Sequence, residues 1–257
     1  MTGGSGASVV DVHCHLLDRS FDCDRPDVIR RARERGVAAI IEGAQTFEES
    51  KRMLREADDL WRAAAGIHPD YVHTERLEPC LELIRENADK LVAIAEVGLD
   101  HYYARSEEEM RVQTSYFRSL SELALSLDLP VVVHSRSAGK EVIQLLRDWG
   151  VKKAVLHAFD GRAAAALEGA RAGYFFSVPP SVSRSQQKRK LVRLLPLDAM
   201  MLESDSPVLG PTGCERNEPS NVLVAARVIA EVKNVTLEEV ARVTTANAAT
   251  LFRLSVR

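Results

Sequence analysis

The feature of this chain that most restricts its fold is a repeat. Short β-branched or apolar runs recur along its whole length, each followed by a longer segment with helical spacing, the signature of consecutive βα units. Eight such runs are legible: Val9–His13, Val37–Glu42, Arg62–Ile67, Leu91–Glu96, Pro130–His134, Ala154–His157, Tyr174–Val178 and Ala199–Glu203. Between them the spacing predicts helices over Asp27–Arg35, Phe47–Leu60, Leu81–Asn87, Glu107–Leu127, Lys140–Trp149, Ala163–Arg171 and Gln186–Leu195. Gly36, Gly150 and Gly173 each stand between a helix and the next strand. Two closing helices are expected at Asn221–Val232, preceded by Pro219, and at Leu237–Val243, opened by Thr236 with Glu239 three residues on. Eight βα units in 257 residues have the size and order of a closed (β/α)8 TIM barrel, an α/β fold, whereas open doubly wound sheets usually have fewer strands. No linker or compositional break marks a second domain. Residues 9–257 are therefore expected to form one barrel domain behind a flexible Gly/Ser-rich lead, residues 1–8.

At 46% apolar residues the chain can bury a core of that size. Its formal charge of -3 provides no overall positive field, so contact with nucleic acid would have to come from a local patch. Cys14, Cys23, Cys80 and Cys214 show neither close pairing nor zinc-ribbon spacing, which suits reduced thiols in a cytoplasmic or nuclear setting. No signal peptide and no membrane-spanning apolar run is expected, and no obligate protein partner is implied.

A barrel enzyme carries its chemistry on the loops after the C-terminal ends of its strands. Five of the seven histidines fall there: His13 and His15 after the first strand, His68 after the third, His134 after the fifth and His157 after the sixth. Glu96 is expected to end the fourth strand, and Asp205 follows the eighth. Side chains two apart on a strand share a side, so both imidazoles of Asp11-Val12-His13-Cys14-His15 can face the barrel mouth while Cys14 points into the helix-facing layer. Imidazoles gathered beside carboxylates are costly without a cation. The candidate metal ligands are His13, His15, Glu96, His134, His157 and Asp205, a nitrogen/oxygen donor set suited to zinc, manganese, cobalt or similar first-row ions and less to calcium, with magnesium a further candidate ion. Six ligands exceed what one catalytic ion needs, so two divalent ions sharing the Glu96 carboxylate are the economical arrangement.

The motifs Asp11-Val12-His13-Cys14-His15, Gly66-Ile67-His68-Pro69, Glu96-Val97-Gly98-Leu99-Asp100, Val133-His134-Ser135-Arg136, His157-Ala158-Phe159-Asp160-Gly161, Glu203-Ser204-Asp205-Ser206-Pro207 and Arg216-Asn217-Glu218-Pro219 resemble, in order, those of the TatD-related deoxyribonucleases. Thr244-Thr245-Ala246-Asn247 with Leu251-Phe252 is similar to the family's terminal helix signature. The resemblance implies an amidohydrolase-like barrel and a metal-dependent hydrolase that cleaves phosphodiester bonds of DNA, with RNA or nucleotides as further substrates. It implies His13, His15, Glu96 and Asp205 around one metal and Glu96, His134 and His157 around the other. Bacterial members commonly carry Asp after the Arg of the His-x-Arg motif and Ser or Thr before the Gly of the His-x-Phe motif. This chain has Ser137 and Asp160 instead, similar to the third of the animal TatD-domain proteins.

In that chemistry the ions would raise the acidity of an attacking water and neutralise charge on the phosphate, while Asp205 would orient the water and take its proton. His68 and Arg136 are the candidate substrate-binding residues, the latter through a bidentate guanidinium contact to phosphate. Asp100 is expected to brace a ligand histidine and Glu203 to orient its loop, with His73 and His101 on surface or loop and Arg216–Pro219 fixing a helix entry. The run Arg184–Lys190 is either a phosphate-contacting patch or a solvated helix face, and Tyr102 with Tyr103 either stack on a base or pack. The alternative function is an amidohydrolase, phosphotriesterase, lactonase or other ester hydrolase on the same barrel. Many such enzymes bridge their ions with a modified lysine at a strand end, and none of the eight runs contains a lysine.

Overall fold

A computed structural model describes residues 8–256, so the expected flexible lead lies outside the described residues except for Ser8. The strands are β1 Val9–Cys14, β2 Val37–Glu42, β3 Trp61–Arg62, β4 Ala64–Ala65, β5 Ala93–Gly98, β6 Val131–His134, β7 Ala154–Leu156, β8 Phe175–Val178 and β9 Met200–Leu202. The helices are α1 Arg25–Glu34, α2 Phe47–Glu56, α3 Leu77–Glu86, α4 Glu107–Leu127, α5 Gly139–Asp148, α6 Ala163–Arg171, α7 Gln186–Leu194, α8 Val222–Lys233 and α9 Leu237–Phe252.

All paired neighbours are parallel, in the orders β1-β2-β3 and β4-β5-β6-β7-β8-β9. The expected third strand is broken at Ala63 into β3, which pairs with β2, and β4, which pairs with β5, so this run joins the two sheets. At the other seam the segment after β9 meets β1: the Asp205 N–H donates to the His13 carbonyl at 2.9 Å and the His15 N–H to that of Ser206 at 2.8 Å. Buried Asp11 strengthens this seam by accepting from the Ser204 N–H at 2.7 Å. The strands therefore close into a barrel.

Two apolar layers follow from the alternation of side chains. Val10, Val12, Ala39, Ile41, Ala64, Ala93, Ala95, Val132, Val155 and Met201 fill the inside of the barrel. Leu251 and Phe252 of α9 belong to the same inner cluster, each burial worth about 2 kcal/mol. Two polar side chains moor α9: Thr245 donates to the Ser8 carbonyl just before β1, and Asn247 to that of Met200 at the start of β9. The helix thus caps the N-terminal end of the barrel, leaving the other end open. It runs nine residues beyond the expected Val243, because Thr244 and Thr250 return their hydroxyls to carbonyls four residues back and do not interrupt it.

Three other boundaries differ from expectation for local reasons. Helix α2 stops at Glu56 because the Asp58 carboxylate accepts the N–H groups of Leu60 and Trp61, turning the chain into β3. Helix α3 begins at Leu77, since Pro79 in the first turn needs no N–H partner. Strand β5 extends to Gly98, so Glu96 lies within the strand and does not end it. Among the described residues, no helix is long and apolar enough to cross a membrane.

Candidate metal centre

His13, His15, His68, Glu96, His134, His157 and Asp205 converge at the open end of the barrel. Their placement begins with two irregular strands. Simple alternation after inward-facing Val10 and Val12 would send Cys14 inside as well, but the pairing of β1 with β2 slips between Asp11 and Cys14. Cys14 consequently lies in the helix-facing core, as expected, and His13 and His15 turn to the mouth. A corresponding register shift in β5, between Ile94 and Val97, accompanies the inward Glu96.

Glu96, 1% exposed, stands at the centre. One oxygen, Oε2, lies 3.4 Å from His13 Nε2 and 3.5 Å from His15 Nε2. The other, Oε1, lies 2.8 Å from His134 Nδ1 and 2.6 Å from His157 Nε2. Asp205 Oδ1 completes the first side, 3.7 Å from His13 Nε2 and 3.4 Å from His15 Nε2. Donor atoms of His13, His15 and Asp205, of His13, Glu96 and His157, and of His68, Glu96 and His134 each lie within 4.8 Å of one another. His68 is thus closer to the donors than a peripheral contact would be.

Partners behind the rings decide which nitrogen faces the centre. His134 Nε2 hydrogen-bonds Asp100 Oδ2 at 2.8 Å, leaving Nδ1 as the lone-pair face. His15 Nδ1 donates to the Gly43 carbonyl at 2.8 Å, leaving Nε2. His68 differs: its Nδ1 accepts from the Asp70 N–H at 3.2 Å, so the neutral ring carries its proton on Nε2 and presents a donor. His13 Nδ1 and Nε2, His157 Nδ1 and Glu96 Oε2 are buried with no hydrogen-bond partner among the described residues. Such orphaned polar atoms facing one another are costly, and divalent ions bound by this nitrogen/oxygen set would satisfy His13 Nε2 and Glu96 Oε2. The residues fit a metal centre.

Electrostatics in the metal-free chain divide the histidines. Burial lowers His15, but the hydrogen bond it donates to the Asp205 carboxylate and the charges of Glu96 and Asp205 outweigh it and raise its pKa to about 10. Burial is likewise overcome at His134 by Asp100 and Glu96, again reaching about 10. Burial prevails at His68 and His157, which fall to about 3 and about 4 and stay neutral. Burial pushes Glu96 and Asp205 up, but the surrounding imidazoles hold both carboxyls below the usual carboxylate range.

Several supporting residues were not legible as functional. Buried Glu42 accepts from the N–H groups of Leu16 and Leu17 at 3.0 Å each and from Trp61 Nε1 at 2.8 Å, fixing the chain just after His15. Gln113 spans two loops, accepting from the Asp100 N–H and donating to the Pro69 carbonyl. Asn217, expected only to set a helix entry, donates to the carbonyls of Ser204 and Val208 at 2.7 and 2.8 Å and so clasps the loop of Asp205. Glu203, expected to orient its own loop, instead accepts from the Ala158 N–H and from Ser177 Oγ and so joins the loop after β7 to β8. A polar residue at a strand end followed by glycine, as in Glu42-Gly43, is the signal that would have found the first of these.

The site opens into a cavity of about 560 Å³ whose walls include Arg136, Tyr103, Lys188 and Asp160. The Arg136 guanidinium lies 3.9 Å above the Tyr102 ring and 5.0 Å from that of Tyr103, both exposed. Asp100 Oδ1 accepts the N–H groups of both tyrosines, so one carboxylate ties this platform to His134. His73 is exposed and His101 sits in the loop after β5, outside the donor cluster. Ser137 and Asp160, from different loops, meet: the Ser137 N–H donates to Asp160 Oδ2 at 3.4 Å.

A parallel barrel with a histidine and carboxylate donor cluster at its C-terminal mouth has the arrangement of a metal-dependent barrel hydrolase. The family described as TatD related DNase matches residues 10–253, and the chain belongs to it. It is 43% identical to human deoxyribonuclease TATDN3, over 96% of each chain, and 33% identical to the 3'-5' ssDNA/RNA exonuclease TatD of Erwinia amylovora, over 95% of this chain and 99% of that one. The solved structure of the Escherichia coli TatD homolog YJJV superimposes with a TM-score of 0.89 at 27% identity, covering 96% of this chain and 98% of that one.

Proposed function

We propose that the chain is a deoxyribonuclease whose His13, His15, Glu96, His134, His157 and Asp205 hold two divalent ions at the barrel mouth. The observation that carries this reading is the division of Glu96, each oxygen of which faces its own set of imidazoles. When bound, the ions supply Lewis-acid charge for the phosphate and lower the pKa of an attacking water.

The protein's own groups do the rest. Asp205, held ionised by the imidazoles beside it, orients the water and takes its proton. His68 presents its Nε2 proton to a non-bridging oxygen of the scissile phosphate, and burial keeps the ring neutral while it does so. Arg136 offers its fork to the phosphate, and the Tyr102–Tyr103 pair offers a face to an unpaired base. Glu96 shares its charge between both halves of the site. Zinc and manganese suit the four imidazoles and two carboxylates better than magnesium does, and DNA is the leading substrate, with RNA next.

Cleavage of end-labelled single- and double-stranded DNA and RNA with added magnesium, manganese or zinc tests this reading. Hydrolysis should stop with chelator and in Glu96→Ala and His134→Ala proteins. Cleavage at an unchanged rate in either variant would sink it.

A further inference from the structure

The basic run Arg184–Lys190 reads in the sequence as one patch, and the fold takes it apart. Arg184 Nε donates to the Gly210 carbonyl at 3.2 Å, Arg189 is bonded to Glu231, and Lys190 is exposed on the outer side of α7. Lys188 alone turns inward. It is half-buried and lines the same cavity as His157 and Asp205, and its Nζ donates at 3.0 Å to the carbonyl of Ala158, the residue after His157.

An ammonium group has three donors. Among the described residues Lys188 Nζ has that one neutral acceptor and no ion pair, although the carboxylates of Glu203, Asp205 and Asp160 lie near enough to act on it electrostatically. Glu203 is already engaged through both oxygens by the Ala158 N–H and Ser177. A cation with spare donors in a cavity beside a hydrolytic centre is suited to an anionic ligand. Its position adds a direction. Arg136 follows β6, His157 follows β7 and Lys188 belongs to the helix after β8, so the two cations stand on either side of the His157 strand.

We propose that Lys188 is a substrate-contacting residue that binds a phosphate of the nucleic-acid strand on the β8 side of the centre, beyond His157 from Arg136. This rests on the phosphodiesterase reading above. The outer face of α7 then contributes little, and the strand passes His157 between the Arg136 platform and Lys188.

The test measures binding of a fluorescent, cleavage-resistant phosphorothioate single-stranded oligonucleotide to the manganese-loaded protein as a function of salt. One lost phosphate contact lowers the slope of log K against log salt by about 0.7 for a single strand. Lys188→Met and Lys188→Gln should each show that loss, Lys188→Arg should retain the slope, and Lys190→Met should leave it unchanged. Methylphosphonate placed linkage by linkage should then find one position that weakens binding to the Lys188 protein but not to Lys188→Met. Equal slopes in Lys188 and both uncharged variants, or a methylphosphonate profile that the substitution does not alter, would overturn the proposal while leaving the phosphodiesterase reading intact. Failure of the unsubstituted enzyme to cleave any oligonucleotide would remove both.

Discussion

Gly43 follows β2 at the point where the backbone passes closest to two candidate metal ligands. A Cβ added there would lie 2.3 Å from His13 Cε1, 2.8 Å from His13 Nδ1 and 3.1 Å from His15 Cε1, against an ordinary contact of 3.4–4 Å. The shortfall at His13 is about 1 Å, and His13 has little room to retreat: it is fully buried, with its ring centroid 4.1 Å from that of His157 and 4.7 Å from that of His15. Overpacking of this kind costs about 1–3 kcal/mol, and a displacement of about 1 Å in a catalytic group costs on the order of 100-fold in rate. Gly43→Ala should therefore lower kcat/KM on a single-stranded oligonucleotide by about two orders of magnitude and weaken manganese binding, with a melting temperature in chelator lowered by only a few degrees. Wild-type kcat/KM together with wild-type ion affinity in Gly43→Ala would refute the claim that backbone approach fixes these two imidazoles.

Asp100→Asn removes the carboxylate behind His134 and should weaken metal binding about 10–100-fold with the fold retained, measured by isothermal titration. His15 and His134 at about 10 hold protons in the metal-free chain that an unfolded chain releases near 6.5, so their stabilising contribution is full below pH 6.5 and is lost as pH rises through about 10. Metal must displace those protons, so apparent affinity should rise from pH 6 to 8, and titration in buffers of different ionisation enthalpy should show proton release. Ser137→Asp sets a second carboxylate beside Asp160 and should reduce kcat/KM several-fold, whereas Ser137→Asp with Asp160→Ser should recover most of the loss, a coupling of about 0.5–1 kcal/mol in a double-mutant cycle.

The fold was legible because each βα unit announces itself locally, and the His-x-His pair because its two members stand two residues apart at the end of β1. Contacts between distant parts of the chain left no such trace. Glu42 supports the chain after His15 from 25 or more positions away, and Ser137 meets Asp160 across 23. The position of Glu96 within β5 was missed because Val97 and Gly98 continue the strand beyond the last residue that alternation marks. Lys188 was hidden for a different reason: which member of a basic run turns inward depends on how α7 docks, and neighbouring cations are equivalent until that is known.

The proposed sharing of Glu96 between two ions is tested most directly by ion stoichiometry. Equilibrium dialysis of the metal-free protein against manganese or zinc, followed by elemental analysis, should give two ions per chain for the wild type and no more than one for Glu96→Gln. Two tightly held ions in Glu96→Gln, or fewer than one in the wild type after reconstitution, would contradict it.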